Sequence, residues 1–290
     1  MIVAAQISTR AKTWLGFVSI PIILYTLLPI GWILSLSLKP DADLPDGNYF
    51  PVNADFHNYK LILWGSAHTL FDPALFNSVG ICLIATFVGV ALATTCAYAI
   101  ARLDFVGKKL ILTSALAVAV FPVVSIVTPL FNLWRTVGLY NTWPGLIIPY
   151  LSLTLPLAIW TLSAFFRQIP WEMEQAAQVD GATSWQAFRK VVVPLAAPGV
   201  FTTAIITFFT VWNDFVYSSS LTSTGGDYIS AHGAQTVPAA LANFTGSSQF
   251  VQPTGAISAA AVIVTIPVVL LVLIFQKRIV SGLTAGAVKG

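Results

Sequence analysis

The sequence has 290 residues, of which 57% are hydrophobic and only 9% charged, with a formal net charge of +3. Soluble domains carry roughly 25% charged residues, so a chain this poor in charge cannot cover a water-facing surface and reads as a membrane protein. The small positive balance is no nucleic-acid signal, because the basic residues sort along the chain in the way that membrane orientation demands.

A helix crosses a bilayer with about 20 mostly apolar residues. The first such run covers 14–38 and is followed by Lys39-Pro40-Asp41. A signal peptide has a shorter apolar core and a small-residue cleavage site, so an uncleaved span is expected. Residues 39–73 form a long polar loop with Asp41, Asp43, Asp46, Asp55 and Asp72. The second span, 74–101, contains both cysteines, Cys82 and Cys96. About 21 Å apart along one helix, they cannot pair and read as small hydrophobes. Spans at 110–134 and 144–166 flank a short loop. A fifth at 191–220 and a sixth at 255–276 flank a long loop rich in Gly, Ser and Thr. Pro21, Pro29, Pro122, Pro129, Pro149 and Pro156 fall inside these runs, where membrane helices tolerate them. The expectation is an all-α membrane protein with six transmembrane helices. It divides into 1–73, a core at 74–276 and a tail at 277–290.

Orientation follows the lysines and arginines. With the N-terminus inside, Arg10, Lys12, Arg102, Lys108, Lys109, Arg167, Arg189, Lys190, Lys277, Arg278 and Lys289 all lie inside, and only Lys39, Lys60 and Arg135 outside. That asymmetry predicts both termini in the cytoplasm.

Between spans four and five, residues 167–193 break the apolar pattern. Pro170 suits a helix start, with Glu172 and Glu174 near the positive end of its dipole. Gly181 suits a helix stop, and Thr183 with Gln186 matches a capping box that restarts a helix. Pro194 and Pro198 bracket the approach to span five. Trp171, Val179, Trp185 and Phe188 offer bulky apolar contacts, while Ala176, Ala177, Gly181 and Ala182 permit close approach. Two readings fit this pattern: a helical knob gripped by a soluble partner, or an interfacial helix lying on lipid.

The stretch Ala176-Ala177-Gln178-Val179-Asp180-Gly181-Ala182, followed by Trp185, Phe188, Pro194 and Pro198, resembles the EAA loop of type I ABC importer permeases. The resemblance implies that the loop is a coupling helix seated in a groove of a cytoplasmic ATPase, with Glu174, Gln175, Ala176, Ala177, Asp180, Gly181, Ala182 and Trp185 at the contact. One residue departs from the pattern. The family's glutamate falls on Gln175, and Glu174 lies one position earlier, about 100° round the helix. The loss of charge at that position shifts the expected contact toward shape and hydrogen bonding.

Asp214 is the only acid well inside a span. Such residues are costly and are functional candidates. Trp212-Asn213-Asp214-Phe215 resembles an element in the fifth span of maltose-type permeases. It admits two readings. One is a polar lining of a sugar path by Trp212, Asn213 and Asp214; the other is glue between helices. The tail with Gly286, Ala287 and Lys289 resembles that family's C-terminus and implies a second ATPase contact. Val237 to Phe244, with Ala240, Asn243 and Phe244, resembles its last outside loop and implies contact with an external binding protein.

No metal-ligand spacing links His57, His68 and His232, and no G-x-x-x-x-G-K-[ST] run is present. The chain reads as a non-catalytic transport subunit. The resemblance implies a carbohydrate, and most simply disaccharide, importer of the bacterial inner membrane. Its partners would be a second, different permease, an ATPase dimer and an extracellular or periplasmic sugar-binding protein. ATP and Mg would be bound by the ATPase and no cofactor by this chain. Nucleic acid is not an expected partner; membrane lipid is. Among the sugars that the resemblance implies, trehalose is the expected one, since the chain looks actinobacterial in its Ala and Val richness. The alternative is an ion-coupled secondary transporter that uses Asp214.

Overall fold

A computed structural model describes the chain except for residues 1–8, 66, 224–232, 245–252 and 288–290, with backbone alone for 9–13, 15 and 276–287. The chain packs as two compact units, one of residues 1–68 with 244–266 and one of residues 69–243 with 267–290.

The first unit opens with α1 (Thr9–Leu38), which carries Pro21 and Pro29. Phe17, Ile22, Leu24 and Tyr25 stand exposed along it, as suits a helix surrounded by hydrocarbon, where backbone polar groups bond within the helix. Lys39 ends the apolar run and is itself buried. Its Nζ donates to Asp46 Oδ1 at 2.5 Å and to the Asn48 carbonyl at 2.6 Å, and it lies 5.3 Å from the Trp32 ring. The Lys39 ammonium holds the Asp46 carboxyl below its ordinary value. A short helix, α2 (His57–Leu63), follows, and Asn58 ties it back through Nδ2 to the carbonyls of Ser37 and Lys39 at 3.2 and 2.9 Å.

The second unit holds α3 (His68–Arg102) from Thr69 onward, α4 (Lys108–Ala119), α5 (Val123–Val137) and α6 (Trp143–Gln168). After α6 come α7 (Trp171–Val179), α8 (Ser184–Ala187), a π-helical turn at Phe188–Val192, α9 (Val193–Leu195) and α10 (Ala197–Trp212). Two short helices, α11 (Val216–Leu221) and α12 (Val237–Asn243), precede the last helix, α13 (Thr254–Ala287). Residues of α13 up to Ile266 group with the first unit and those from Pro267 with the second.

α1, α3, α6 and α13 are each long and apolar enough to cross a membrane. The other two expected spans are bent pairs. α4 and α5 meet at 90°, and the limb Ser184–Leu195 meets α10 at 73°. Prolines explain both breaks, since each removes a backbone N–H and crowds the preceding turn. Pro122 caps α5 in an extended conformation. Pro194 and Pro198 flank the second bend at Ala196. Residues 191–195, expected from hydropathy to open the fifth span, lie in the limb before the bend, and Ala196 lies at the bend itself.

The core of this unit joins Ala93 and Ala97 of α3, Ala158, Leu162 and Phe166 of α6, and Phe188, Val192 and Ala196 of the limb. Alanines on α3 let the helices approach closely, as small residues do in membrane interfaces. Gly199 serves the same purpose on α10, because a Cβ there would enter the Phe165 ring.

Candidate functional site: the 169–196 loop

The loop is two helical limbs around one sharp stop. α7 starts after Pro170, which is extended, and places Glu172 and Glu174 in its first turn. It ends at Gly181, with φ of 88°. The Ala182 N–H donates to the Ala177 carbonyl at 3.0 Å, and the Gly181 N–H to the Gln178 carbonyl at 3.0 Å. These are the two bonds of a Schellman stop, which needs a left-handed residue where glycine sits. Thr183 then caps α8. Its Oγ1 accepts from the Gln186 N–H at 3.3 Å, while its own N–H donates to Gln186 Oε1 at 2.9 Å. Both turn signals read from the sequence are therefore present, and they fix the angle between the limbs.

The faces of the loop differ sharply. Val179 at the tip is 87% exposed and Trp185 62% exposed. Gln175, Ala176, Asp180 and Gly181 are exposed, and Ala177 and Ala182 half-buried. A Cβ added at Gly181 would meet open space, so the glycine is required by backbone conformation and not by packing within the chain. Together these residues give the loop an exposed edge that mixes small (Ala176, Gly181), polar (Gln175, Asp180) and bulky apolar (Val179, Trp185) side chains.

Glu174 lies on the opposite side and is 2% exposed. Its Oε1 accepts a hydrogen bond from the Tyr98 hydroxyl, and its Oε2 lies 3.6 Å from Arg102 Nε. Arg102 also donates through Nη2 to the Ile169 carbonyl at 2.8 Å and sits 5.0 Å from the Trp171 ring. The carboxylate grouped with the exposed residues in the sequence thus points inward, onto the end of α3. The 100° offset from Gln175 accounts for this. Tyr98 carried no visible signal in the sequence, and Arg102 was legible only as a positive charge beside a span.

Residues 85–284 match the family described as "Binding-protein-dependent transport system inner membrane component". The chain belongs to this family. It is 54% identical to the trehalose transport system permease protein SugB of Mycobacterium tuberculosis, over 97% of this chain and 99% of that one. It is 37% identical to the trehalose/maltose transport system permease protein MalG of Thermococcus litoralis, over 91% and 92% of the two chains. Among solved structures, a bacterial ABC transporter involved in the import of the acidic polysaccharide alginate aligns with a TM-score of 0.74 at 22% identity, covering 93% of this chain and 98% of that one. The fold is that of an ABC importer membrane subunit, and the chain is a multi-pass inner-membrane permease.

Elsewhere in the permease, Asp214 sits at the break between α10 and α11. Its Oδ2 accepts from the Tyr150 hydroxyl at 3.0 Å and from the Ser218 N–H at 3.1 Å, and its Oδ1 from the Tyr217 N–H at 3.5 Å. It brackets the first turn of α11 to α6, the arrangement expected of glue. Trp212 is buried and stacks on Phe208 at 5.4 Å, while Asn213 Nδ2 donates to the Phe209 carbonyl at 2.9 Å. The three residues share the break, where the Asp214 carboxylate and the Asn213 amide N–H form hydrogen bonds within the chain. Between α6 and α10, Thr154, Thr161, Thr203, Thr207 and Thr210 line a cavity of about 40 Å³. That is water-sized, far below the roughly 300 Å³ at which ligand pockets begin. Ala240 is buried, Asn243 exposed and Phe244 half-buried. Gly286 and Ala287 extend α13 as backbone, and Lys289 lies outside the described residues.

Proposed function

We propose that the permease is one of two different membrane subunits of an ATP-driven disaccharide importer, with trehalose its substrate. The observation that carries the sugar is the 54% identity, over nearly the whole chain, to a permease of a trehalose system. The family's dependence on a binding protein supports delivery of the sugar by an external one. Both termini lie in the cytoplasm, on the evidence of the lysine and arginine asymmetry. There the free edge of the 169–196 loop meets an ATPase dimer that binds ATP and Mg. Gln175, Ala176, Ala177, Asp180, Gly181, Ala182 and Trp185 form this contact. Gly286, Ala287 and Lys289 add a second one at the C-terminus, and Asn243 and Phe244 face the binding protein. Closure of the ATPase dimer draws the loop inward and turns the cavity between the permeases outward, and hydrolysis resets it. The ion-coupled alternative is not favoured, since the Asp214 carboxylate is held by three donors from α6 and α11.

Reconstitution tests this. The two permeases, ATPase and binding protein in liposomes should accumulate labelled trehalose only with enclosed ATP and added binding protein. Accumulation driven by a proton or sodium gradient without ATP would overturn the proposal.

A further inference from the structure

The inward side of the loop carries a charged cluster in which Glu174 and the Arg102 side chain are buried and Tyr98 half-buried. Tyr98 and Arg102 are one turn apart on α3, so both project from one face. Glu174 is separated from them by more than 70 positions, yet both reach it. Its side chain is 2% exposed and that of Arg102 6% exposed. The cluster also spans both limbs. On the first, α3 grips the Ile169 carbonyl, the Trp171 ring and Glu174. On the second, the Tyr98 ring meets Phe188 with centroids 4.5 Å apart, and Phe188 lies 5.2 Å from the Trp185 ring.

A buried ion pair is poor economy if stability is all that is wanted, because apolar residues of equal volume commonly do as well. Removing one partner, however, leaves a buried charge uncompensated. Such a pair suits a joint that must keep one geometry. The covalent links of the loop run only to α6 and α10, and at Ile169–Pro170 and Ala196 the chain bends. Motion of the tip could be absorbed at those two points.

We propose that Glu174, Tyr98 and Arg102 form an inward latch that locks both limbs to the end of α3, so that displacement of the loop moves α3 as part of one lever. Glu174 is then a positioning residue that acts within the permease and not a group that touches the ATPase. The latch rests on the coupling reading given above and deepens it. It also explains why the family's charge can be absent at Gln175 while a carboxylate persists one position earlier: the two positions face different bodies.

The test uses the whole reconstituted importer and counts trehalose molecules transported per ATP hydrolysed. Tyr98→Phe removes only the hydroxyl and keeps the ring on Phe188. Glu174→Gln keeps an acceptor for Tyr98 and removes the charge. Each should lower the transport-to-hydrolysis ratio about tenfold, the scale of a typical coupling between sites, while the ATPase still co-purifies. The double variant should be no worse than the poorer single one, as for groups acting as a unit. If Glu174→Gln fails to assemble, Tyr98→Phe decides alone. A wild-type ratio in the assembled variants, even with a lowered melting temperature, overturns the latch and leaves a merely structural cluster. Val179→Arg at the exposed tip separates the two readings. If it impairs stimulated hydrolysis while the latch variants keep their ratio, only the latch falls. If Val179→Arg behaves as wild type, the coupling reading fails and takes the latch with it.

Discussion

Asp214 and Glu174 show how little a carboxylate's identity says about its work. Each is an acid in a poorly hydrated setting, where an unpaired charge is costly. Each has partners from distant sequence: Tyr150 for Asp214, and Tyr98 and Arg102 for Glu174. Asp214 also accepts two backbone N–H bonds at the start of α11. Asp214→Ala strips three donors of their acceptor, including the hydroxyl of the buried Tyr150. It should destabilise the permease by about 1–3 kcal/mol, read as a lower melting temperature in detergent, with the trehalose KM unchanged in the surviving protein. A raised KM at unchanged melting temperature would instead put Asp214 in the sugar path. The sequence marked both acids as notable, but the direction in which either points depends on α3 or α6, and no local pattern records that.

The loop is the element whose internal structure was most legible, because its signals are local. Gly181 and the Thr183–Gln186 pair act within a few residues of themselves, so their spacing fixes a stop and a start. The bend at Ala196 was less legible. Pro194 and Pro198 were visible, but hydropathy ran through them and merged the limb with the span. The π turn at Phe188–Val192 had no signal, since it serves to aim Phe188 and Val192 into a core built from α3 and α6. Gly181→Val tests the stop directly. A β-branched residue at φ of 88° costs about 1–2 kcal/mol of backbone strain, and nothing inside the chain blocks the side chain itself. The protein should therefore reach the membrane in normal amount but lose trehalose import and stimulated ATP hydrolysis together. Normal stimulated hydrolysis in this variant would show that the limb angle does not matter for coupling.

At the scale of the whole molecule, the spans were readable from hydropathy because the bilayer fixes their length and polarity. Their continuity was not. Two of the six expected spans are bent pairs, at 90° and 73°, and the second bend is the one that turns the loop away from α10. The result is a loop with two faces. The inward face is charged and buried against α3, and the outward side exposes small Ala176 and Gly181, polar Gln175 and Asp180, and bulky Val179 and Trp185. On the proposed function, this loop is where transport through the bilayer meets work on a soluble partner. Site-directed cross-linking from Val179→Cys in the complete importer, in the presence and absence of ATP, tests that meeting most directly. A short-reach cross-link to the ATPase subunit is expected, with a yield that changes when ATP closes the dimer, and none from a cysteine at Phe87 on α3, which is also largely exposed. Cross-links from Val179→Cys to lipid alone, with the ATPase present and active, would contradict it.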